Sequence, residues 1–459
     1  MEVSKTKAMR DLLQYRHLLS SELPFSHCLL KWHERHCLLK KMPAIEMTTK
    51  GYTCKRCGAT NKRYFALTPC EICQKQCVYC RSCIMMGKAS ECTFLYEWTE
   101  ASALQFFQVK MTWDGELSSG QKAASKKIIE VIKKKEDLLI WAVCGAGKTE
   151  LLFHGIEYAL KKGKRVCIAT PRTDVVLELE PRIRNVFMGI EIAALYGNSP
   201  NRFQTSPLTI STTHQLLRYK EAFDVMIIDE VDAFPYSLDD RLRFAVEKAR
   251  RKDSVCIYLS ATPSHEMKSQ IEKEMLTAIK IPLRFHKHLL PVPCFKWIGH
   301  WKKKIKKRRL PFPLIKWLTG HVVQKRRVLL FVPSISIMNE VTNILTHLNI
   351  NAQGVSAEDK DRKKKVRQFR EHMYDVLVTT TILERGVTIQ NVQVGVIGAE
   401  VHIFTESALV QIAGRVGRHP EYFSGDVYFF HYGVTQSMRE AKKHISQMNK
   451  VALKEFSEK

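Results

Sequence analysis

Leu138-Leu-Ile-Trp-Ala142-Val-Cys144-Gly145-Ala146-Gly147-Lys148-Thr149 is the stretch on which the reading of this chain turns. Its first half, Leu138–Val143, is an apolar run of strand length. Its second half is a Gly-rich turn that opens a helix-length segment. Strand, Gly-rich turn and helix, in that order, are the context a phosphate-binding loop requires. Gly145 and Gly147 let the backbone wrap around phosphates, and the N–H groups at a helix start favour negative charge. Lys148 is expected to reach the β- and γ-phosphates of ATP, and Thr149 to ligate Mg2+. Ala142, Cys144, Gly145, Ala146, Gly147, Lys148, Thr149 and Glu150 form the expected nucleotide-binding set. Ala142 is a departure, because it stands where the first Gly of such a loop normally is.

Downstream, Val225-Met-Ile-Ile-Asp229-Glu230-Val231-Asp232 is an apolar strand ending in acids. A carboxylate at the C-terminal end of such a strand points into the ligand crevice of an α/β sheet. Asp229 is the expected second Mg2+ anchor, and Glu230 the group that positions or deprotonates the attacking water. Around these two motifs, short apolar runs alternate with helix-length amphipathic segments. The first half offers strands at Leu138–Val143, Arg165–Thr170, Leu208–Ser211, Val225–Asp229 and Val255–Ser260. A break at His288–Trp297, with Pro291 and Pro293, reads as a linker. The pattern then restarts at Val328–Val332, Ala352–Ser356, Val376–Thr379, Val394–Ile397 and Val427–Phe430. Such alternation predicts two tandem α/β domains, each a parallel sheet with crossover helices.

Hydrophobic residues make up 45% of the 459-residue chain, enough for sizeable cores and against wholesale disorder. The formal charge of +27 favours a polyanionic partner, either nucleic acid or an anionic membrane surface. No run approaches the ~20 apolar residues of a membrane span, and the N-terminus lacks a secretory signal pattern. The expected location is the cytoplasm, with any membrane contact peripheral. Basic residues concentrate in Lys302–Arg309 and again in Lys360–Arg370, a run of helical length. The first is expected to add phosphate contacts; the second is as readily a solvated helix face.

Seven of the fourteen cysteines lie between Cys54 and Cys83. In a reducing compartment such a cluster reads as a metal site rather than as disulfides. Cys54-Lys-Arg-Cys57 and Cys80-Arg-Ser-Cys83 are two knuckles able to supply a tetrahedral Zn2+ site. Cys70-Glu-Ile-Cys73 competes with the second pair on spacing, and Cys77 adds a further candidate. Basic residues and the aromatic Tyr52, Tyr64, Phe65 and Tyr79 interleave with the cysteines, a composition suited to stacking on single-stranded bases.

The motor half resembles the superfamily 2 helicases. Asp229-Glu-Val-Asp232 is similar to their DExD box, and Ser260-Ala-Thr262 to the motif that couples hydrolysis to domain movement. Thr170-Pro-Arg172-Thr-Asp174 resembles the first nucleic-acid-contacting motif. Val378-Thr379-Thr380-Thr381 through Gly386-Val-Thr388 resembles motif V, and Gln411-Ile-Ala-Gly414-Arg415-Val-Gly417-Arg418 motif VI. Ala at the first loop position is common in this class, so Ala142 weakens the match little. The resemblance implies two RecA-like domains and makes Arg415 and Arg418 arginine fingers. It gives Gln121 and Gln411 nucleotide contacts, and places a polymer strand on Arg172, Thr213, Thr379 and Thr380.

A narrower resemblance spans most of residues 50–450. Tyr79-Cys80-Arg-Ser-Cys83-Ile-Met-Met-Gly87, Pro171-Arg-Thr-Asp-Val-Val-Leu-Glu-Leu179 and Asp229-Glu-Val-Asp-Ala-Phe-Pro235 are similar to the late competence ComFA family. That resemblance selects Cys54, Cys57, Cys80 and Cys83 as the zinc ligands. It implies a single-stranded-DNA motor that drives or assists import of transforming DNA. Its implied partners are a ComFC-like phosphoribosyltransferase-type protein, the DNA-processing protein DprA and the uptake channel ComEC. The expected layout is an N-terminal segment 1–50 without an assigned role, a cysteine module 51–92, and RecA-like domains 93–290 and 291–459. The rival readings are a primosome-type replication-restart helicase, an RNA helicase, and a zinc-dependent nucleic-acid-binding scaffold with a weak motor.

Overall fold

A computed structural model of the chain describes residues 2–100, 107–197, 199, 203–384 and 389–457. Two parallel sheets dominate it. The first runs Ile192–Leu195, Leu208–Thr212, Val166–Thr170, Phe223–Ile228, Arg250–Ser260, Leu138–Ala142, Thr277–Ile281 in spatial order. The second runs Cys294–Trp297, Val427–His431, Val392–Ile397, Arg327–Phe331, Val376–Thr379, Ala352–Val355. The chain is α/β, with two RecA-like parallel-sheet domains behind a cysteine-rich N-terminal region.

The central strands are buried on both faces, which is why they stand out as unbroken apolar runs. Within these two sheets, the three strands that sequence patterning missed lie at the edges. Ile192–Leu195 and Thr277–Ile281 close the two sides of the first sheet. Cys294–Trp297 pairs with Val427–His431, so the segment read as a linker carries an edge strand. An edge strand needs only one partner, and Cys294, Lys296 and Trp297 stay exposed, so no apolar run marks it.

Local sequence fixes the helix that leads into the phosphate loop. Ser118 caps Ser119–Lys134: its hydroxyl accepts from Gln121 N, and Ser118 N donates to Gln121 Oε1 at 2.8 Å. Lys133 and Lys134 fall in the last turn, where positive charge suits the helix dipole.

The first hundred residues build a unit of their own. Leu18–Leu19, Phe94–Trp98 and Leu39–Pro43 form an antiparallel sheet. The chain leaves it at Pro43 and re-enters at Phe94, directly opposite. Between these points lie the hairpins Ile45–Thr48/Gly51–Cys54 and Phe65–Pro69/Gln76–Cys80, which with the segments flanking them carry the cysteines. One core joins this region to a face of the first parallel sheet, through the helix Asp240–Ala249 and the 3-10 turn Thr213–Arg218. At the seam, Glu22 accepts from Arg56 Nη2 at 2.9 Å and from Arg218 Nε at 2.6 Å, all three side chains being buried. Among the described residues no helix is long and apolar enough to cross a membrane.

Candidate active site and metal centre

The phosphate loop sits at the C-terminal end of Leu138–Ala142, the crevice end of the sheet. Gly145 and Gly147 both take positive φ, +84° and +69°, which a side-chain-bearing residue rarely adopts. Gln121 is fully buried, and its amide donates to the carbonyls of Ala146 at 3.0 Å and Gly147 at 2.9 Å. Its oxygen serves Ser118, so the side chain is committed to holding the loop. Lys148 and Thr149 are half-buried at the helix start, and Glu150 is paired with Arg182.

Asp229 and Glu230 follow the strand Phe223–Ile228, and Asp229 N donates to Ala169 O of the neighbouring strand. Glu230 takes φ +59°, a strained conformation of the kind that clusters at functional sites. Asp232 ties three hydroxyls together. Ser260 Oγ donates at 2.9 Å, and Thr262 Oγ1 and Ser407 Oγ each at 2.8 Å. Ser407 belongs to the second domain, so this carboxylate links both motor halves to the end of the strand Arg250–Ser260. A cleft of about 830 Å³ opens beside it, lined by Asp232, Tyr236, Thr262, Glu406 and Ser407.

The second domain closes directly on the phosphate loop. Cys144 Sγ donates to Gln411 Oε1 at 3.0 Å. A methyl group at Gly414 would lie 2.6 Å from the Cys144 Cβ, so only glycine allows this approach. Arg415 is buried, and its Nε donates to Glu384 O at 2.9 Å. Burial, then the neighbouring Arg418, holds its guanidinium well below the usual arginine range, while Cys144 and Glu230 act in the opposite sense. A cation so disfavoured marks a place that gains from an incoming anion. Arg418 Nε donates to Gly414 O at 3.0 Å.

No motif points to Arg284, which joins this group. It is 1% exposed, lies beside Gly145 and donates to Gly417 O. Its Nε and Nη2 have no hydrogen-bond partner among the described residues. Burial and the charge of Arg418 lower it to about 10.

The residues expected to hold a polymer divide. Arg172 bridges the domains, donating to Ile382 O at 3.0 Å and pairing with Asp174. Thr380 is partly exposed. Thr213 and Thr379 are fully buried: Thr379 Oγ1 donates to Val355 O at 2.9 Å, and Thr213 Oγ1 has no partner among the described residues. Both hydroxyls thus lie beneath the surface on which the resemblance places a polymer strand. The remainder of motif V, Gly386 to Thr388, lies outside the described residues. Beside the Arg172 contact, Arg362, Lys363, Arg367 and Arg370 line a cleft of about 960 Å³.

Cys54, Cys57, Cys80 and Cys83 come together, all buried, with their sulfurs within 4.8 Å of one another. The Cys54–Cys83 and Cys57–Cys80 separations are 3.7 Å. Four thiolates around Zn2+ at the usual Zn–S distance stand about 3.8 Å apart, so this set fits the ion. Cys70, Cys73 and Cys77 do not join it. They gather elsewhere with Cys92, which the sequence reading, ending at Cys83, did not include.

Comparison with known proteins agrees with this geometry. Residues 3–97 match the competence protein ComFA N-terminal domain. Residues 114–265 match the type III restriction enzyme res subunit, and 312–420 the helicase conserved C-terminal domain. The chain is 54% identical to competence protein ComFA of Bacillus subtilis (strain 168), over 98% of its own length and 97% of that protein's. It belongs to the ComFA family. Competence protein ComFA of Streptococcus pneumoniae (strain ATCC BAA-255 / R6) is 34% identical, over 91% of this chain and 95% of that one. For the fold alone, Saccharomyces cerevisiae Dbp5 bound to RNA and ADP BeF3 superposes with a TM-score of 0.51 at 14% identity. That match covers 72% of this chain and 91% of the other. This ComFA-family chain is thus a competence protein with a superfamily 2 helicase-like motor, whose helicase domains imply use of ATP and Mg2+. Its Arg284, Ser407 and Cys92 had no motif to flag them. Each is set in place by a partner more than a hundred residues away or by a cysteine group visible only once the chain is folded.

Proposed function

We propose that the chain is a DNA-dependent ATPase that moves single-stranded DNA during import in natural competence. The contact of Cys144 with Gln411 carries this reading, because it packs the motif VI arginines onto the phosphate loop across the domain boundary. In this scheme Lys148 and Thr149 hold the nucleotide phosphates and Mg2+, with Asp229 as the second metal anchor. Bound ATP supplies the phosphoanhydride bond, and Mg2+ the neutralisation of its charge. Glu230 orients and deprotonates water. Arg415 and Arg418 stabilise charge that develops away from the loop, and Arg284 supports Gly417 between them. Asp232, through Thr262 and Ser407, passes opening and closing of the cleft to the polymer-facing side. Arg172 and Thr380 grip sugar and phosphate rather than base edges, so little sequence preference is expected.

The zinc-loaded thiolates of Cys54, Cys57, Cys80 and Cys83 stabilise the N-terminal region. The proposed units are an N-terminal unit through about residue 98 that contains the cysteine region, a first motor domain to about residue 290, and a second from 291 onward. A cytoplasmic position at the inner membrane face, next to ComFC-like, DprA and ComEC partners, follows from the competence reading.

The test is steady-state ATP hydrolysis at low salt with no polymer, single-stranded DNA, duplex DNA or RNA. Stimulation by single-stranded DNA, absent in Lys148→Ala while filter binding of DNA persists, is the expected result. Stimulation by RNA or forked duplex would overturn the import assignment. Equal loss of binding and turnover in Lys148→Ala would overturn the division between nucleotide and polymer sites.

A further inference from the structure

Beyond the thiolate set matched to the family, a second cluster stands at the far end of the hairpin Phe65–Pro69/Gln76–Cys80. The sulfurs of Cys70, Cys73, Cys77 and Cys92 all lie within 4.8 Å of one another. Cys77 is buried and the other three are partly exposed. The two clusters interleave along the chain: the strand Gln76–Cys80 gives Cys77 to one and Cys80 to the other.

The backbone at Cys70–Lys75 repeats the turn at Cys54–Ala59. Cys54 N donates to Ala59 O at 2.9 Å, and Cys70 N donates to Lys75 O at 3.0 Å. Gly58 N donates to Cys54 O at 2.8 Å, and Gln74 N donates to Cys70 O at 2.9 Å. The residue after the second cysteine takes positive φ in both, +72° at Gly58 and +57° at Gln74. At Gln74 this conformation is strained, and strain persists only where the surroundings impose it. The same turn is therefore built twice, once in each cluster.

Apolar packing does not account for the order of this tip. Leu67 and Ile72 are 65% and 72% exposed. The base of the hairpin is covered through Phe65, Val78 and Cys80, but this cover does not reach the tip, and small regions lacking a core are held by metals or disulfides. Four thiols converging on one point, rather than pairing two by two, select the metal. Soft sulfur donors in a tetrahedral set suit zinc.

We propose that Cys70, Cys73, Cys77 and Cys92 bind a second Zn2+ ion, which clamps the hairpin tip to the segment entering the strand Phe94–Trp98. Each thiol loses its proton to solvent as its sulfur bonds to the ion, with no change of oxidation state. The ion closes a short circuit already begun by the backbone, where Val78 N donates to Glu91 Oε2 at 2.7 Å and Glu91 N to Val78 O at 3.0 Å.

The test is metal content of the full chain purified without chelator. About two zinc ions per chain are expected in the wild type, and about one in Cys92→Ser and in Cys70→Ser/Cys73→Ser. In Cys92→Ser, amides of residues 65–80 should exchange with deuterium faster while basal ATP hydrolysis is unchanged. A wild-type content of about one zinc, unaltered in Cys92→Ser, would overturn the proposal. So would iron in its place, or thiol titration showing the four cysteines oxidised in pairs. Should the variants not fold, Co2+ titration of the metal-stripped wild type decides. Thiolate charge-transfer absorbance that rises to about two equivalents supports the site, and saturation at one refutes it.

Discussion

At the residue scale, the arginines facing the phosphate loop make the sharpest demand. Arg418→Ala should lower kcat by about 10³–10⁵-fold with polymer bound normally, as loss of an arginine finger does in related sites. Stopped-flow phosphate release against single-stranded-DNA affinity checks this. A second residue-scale prediction concerns His17. It is buried at the seam between the N-terminal unit and the first domain, with neither ring nitrogen partnered among the described residues. Burial first, then Lys248, Lys220, Arg56 and Lys40, lowers it to about 2. Below the unfolded-state value of 6.5 the unfolded chain takes up a proton that the folded chain refuses. Stability therefore falls as pH drops, by up to about 1.4 kcal/mol per pH unit from this group. Urea titrations between pH 7.5 and 5.5 should show a shallower loss in His17→Phe. Lys148, Asp229 and Arg415 could be picked out because the roles proposed for them demand fixed spacing within a motif. Arg284 was not: nothing local distinguishes it from a surface arginine, and only the fold lays it between Gly145 and Gly417.

At the scale of elements, the basic run Lys302–Arg309 separates into two functions. Its helix, Trp301–Lys306, is anchored by Trp301, 1% exposed and donating to Glu400 Oε1 at 2.7 Å, and by buried Ile305. Trp301→Ala should cost about 3–5 kcal/mol in chemical denaturation. Replacing Lys302, Lys303 and Lys304 together by Ala should leave stability within about 0.5 kcal/mol, because these are surface changes. The same triple change should flatten the salt dependence of single-stranded-DNA binding, lowering the log–log slope by about 0.7 for every phosphate no longer neutralised. An unchanged slope would remove this helix from the polymer path. Elements were legible in proportion to their burial. Strands covered on two faces, such as Val166–Thr170 and Arg327–Phe331, announced themselves. Cys294–Trp297 did not, since a half-exposed edge strand directly after two prolines has the composition of a connector.

For the whole molecule, the seam around Glu22 joins the N-terminal sheet, the cysteine region and the first motor domain through one carboxylate. Glu22→Gln would leave Arg56 and Arg218 buried without their counter-charge, so a loss of about 3–5 kcal/mol is expected in thermal or chemical unfolding. A loss below about 1 kcal/mol would mean the guanidinium groups find water instead. Charge and composition pointed toward a polyanion partner, yet could not tell that segment 1–50 and Phe94–Trp98 share a sheet, because pairing across so long an interval leaves no periodic trace. That sheet has a mechanical corollary for a chain placed under tension. Leu39 and Trp98 lie opposite each other, as do Pro43 and Phe94. Tension entering from the N-terminus and leaving toward the motor crosses between adjacent strands at Leu39 and Trp98. Along the backbone the thiolate-bearing loop is wired in parallel with that path, and its own link to the first motor domain runs through Arg56, Glu22 and Arg218.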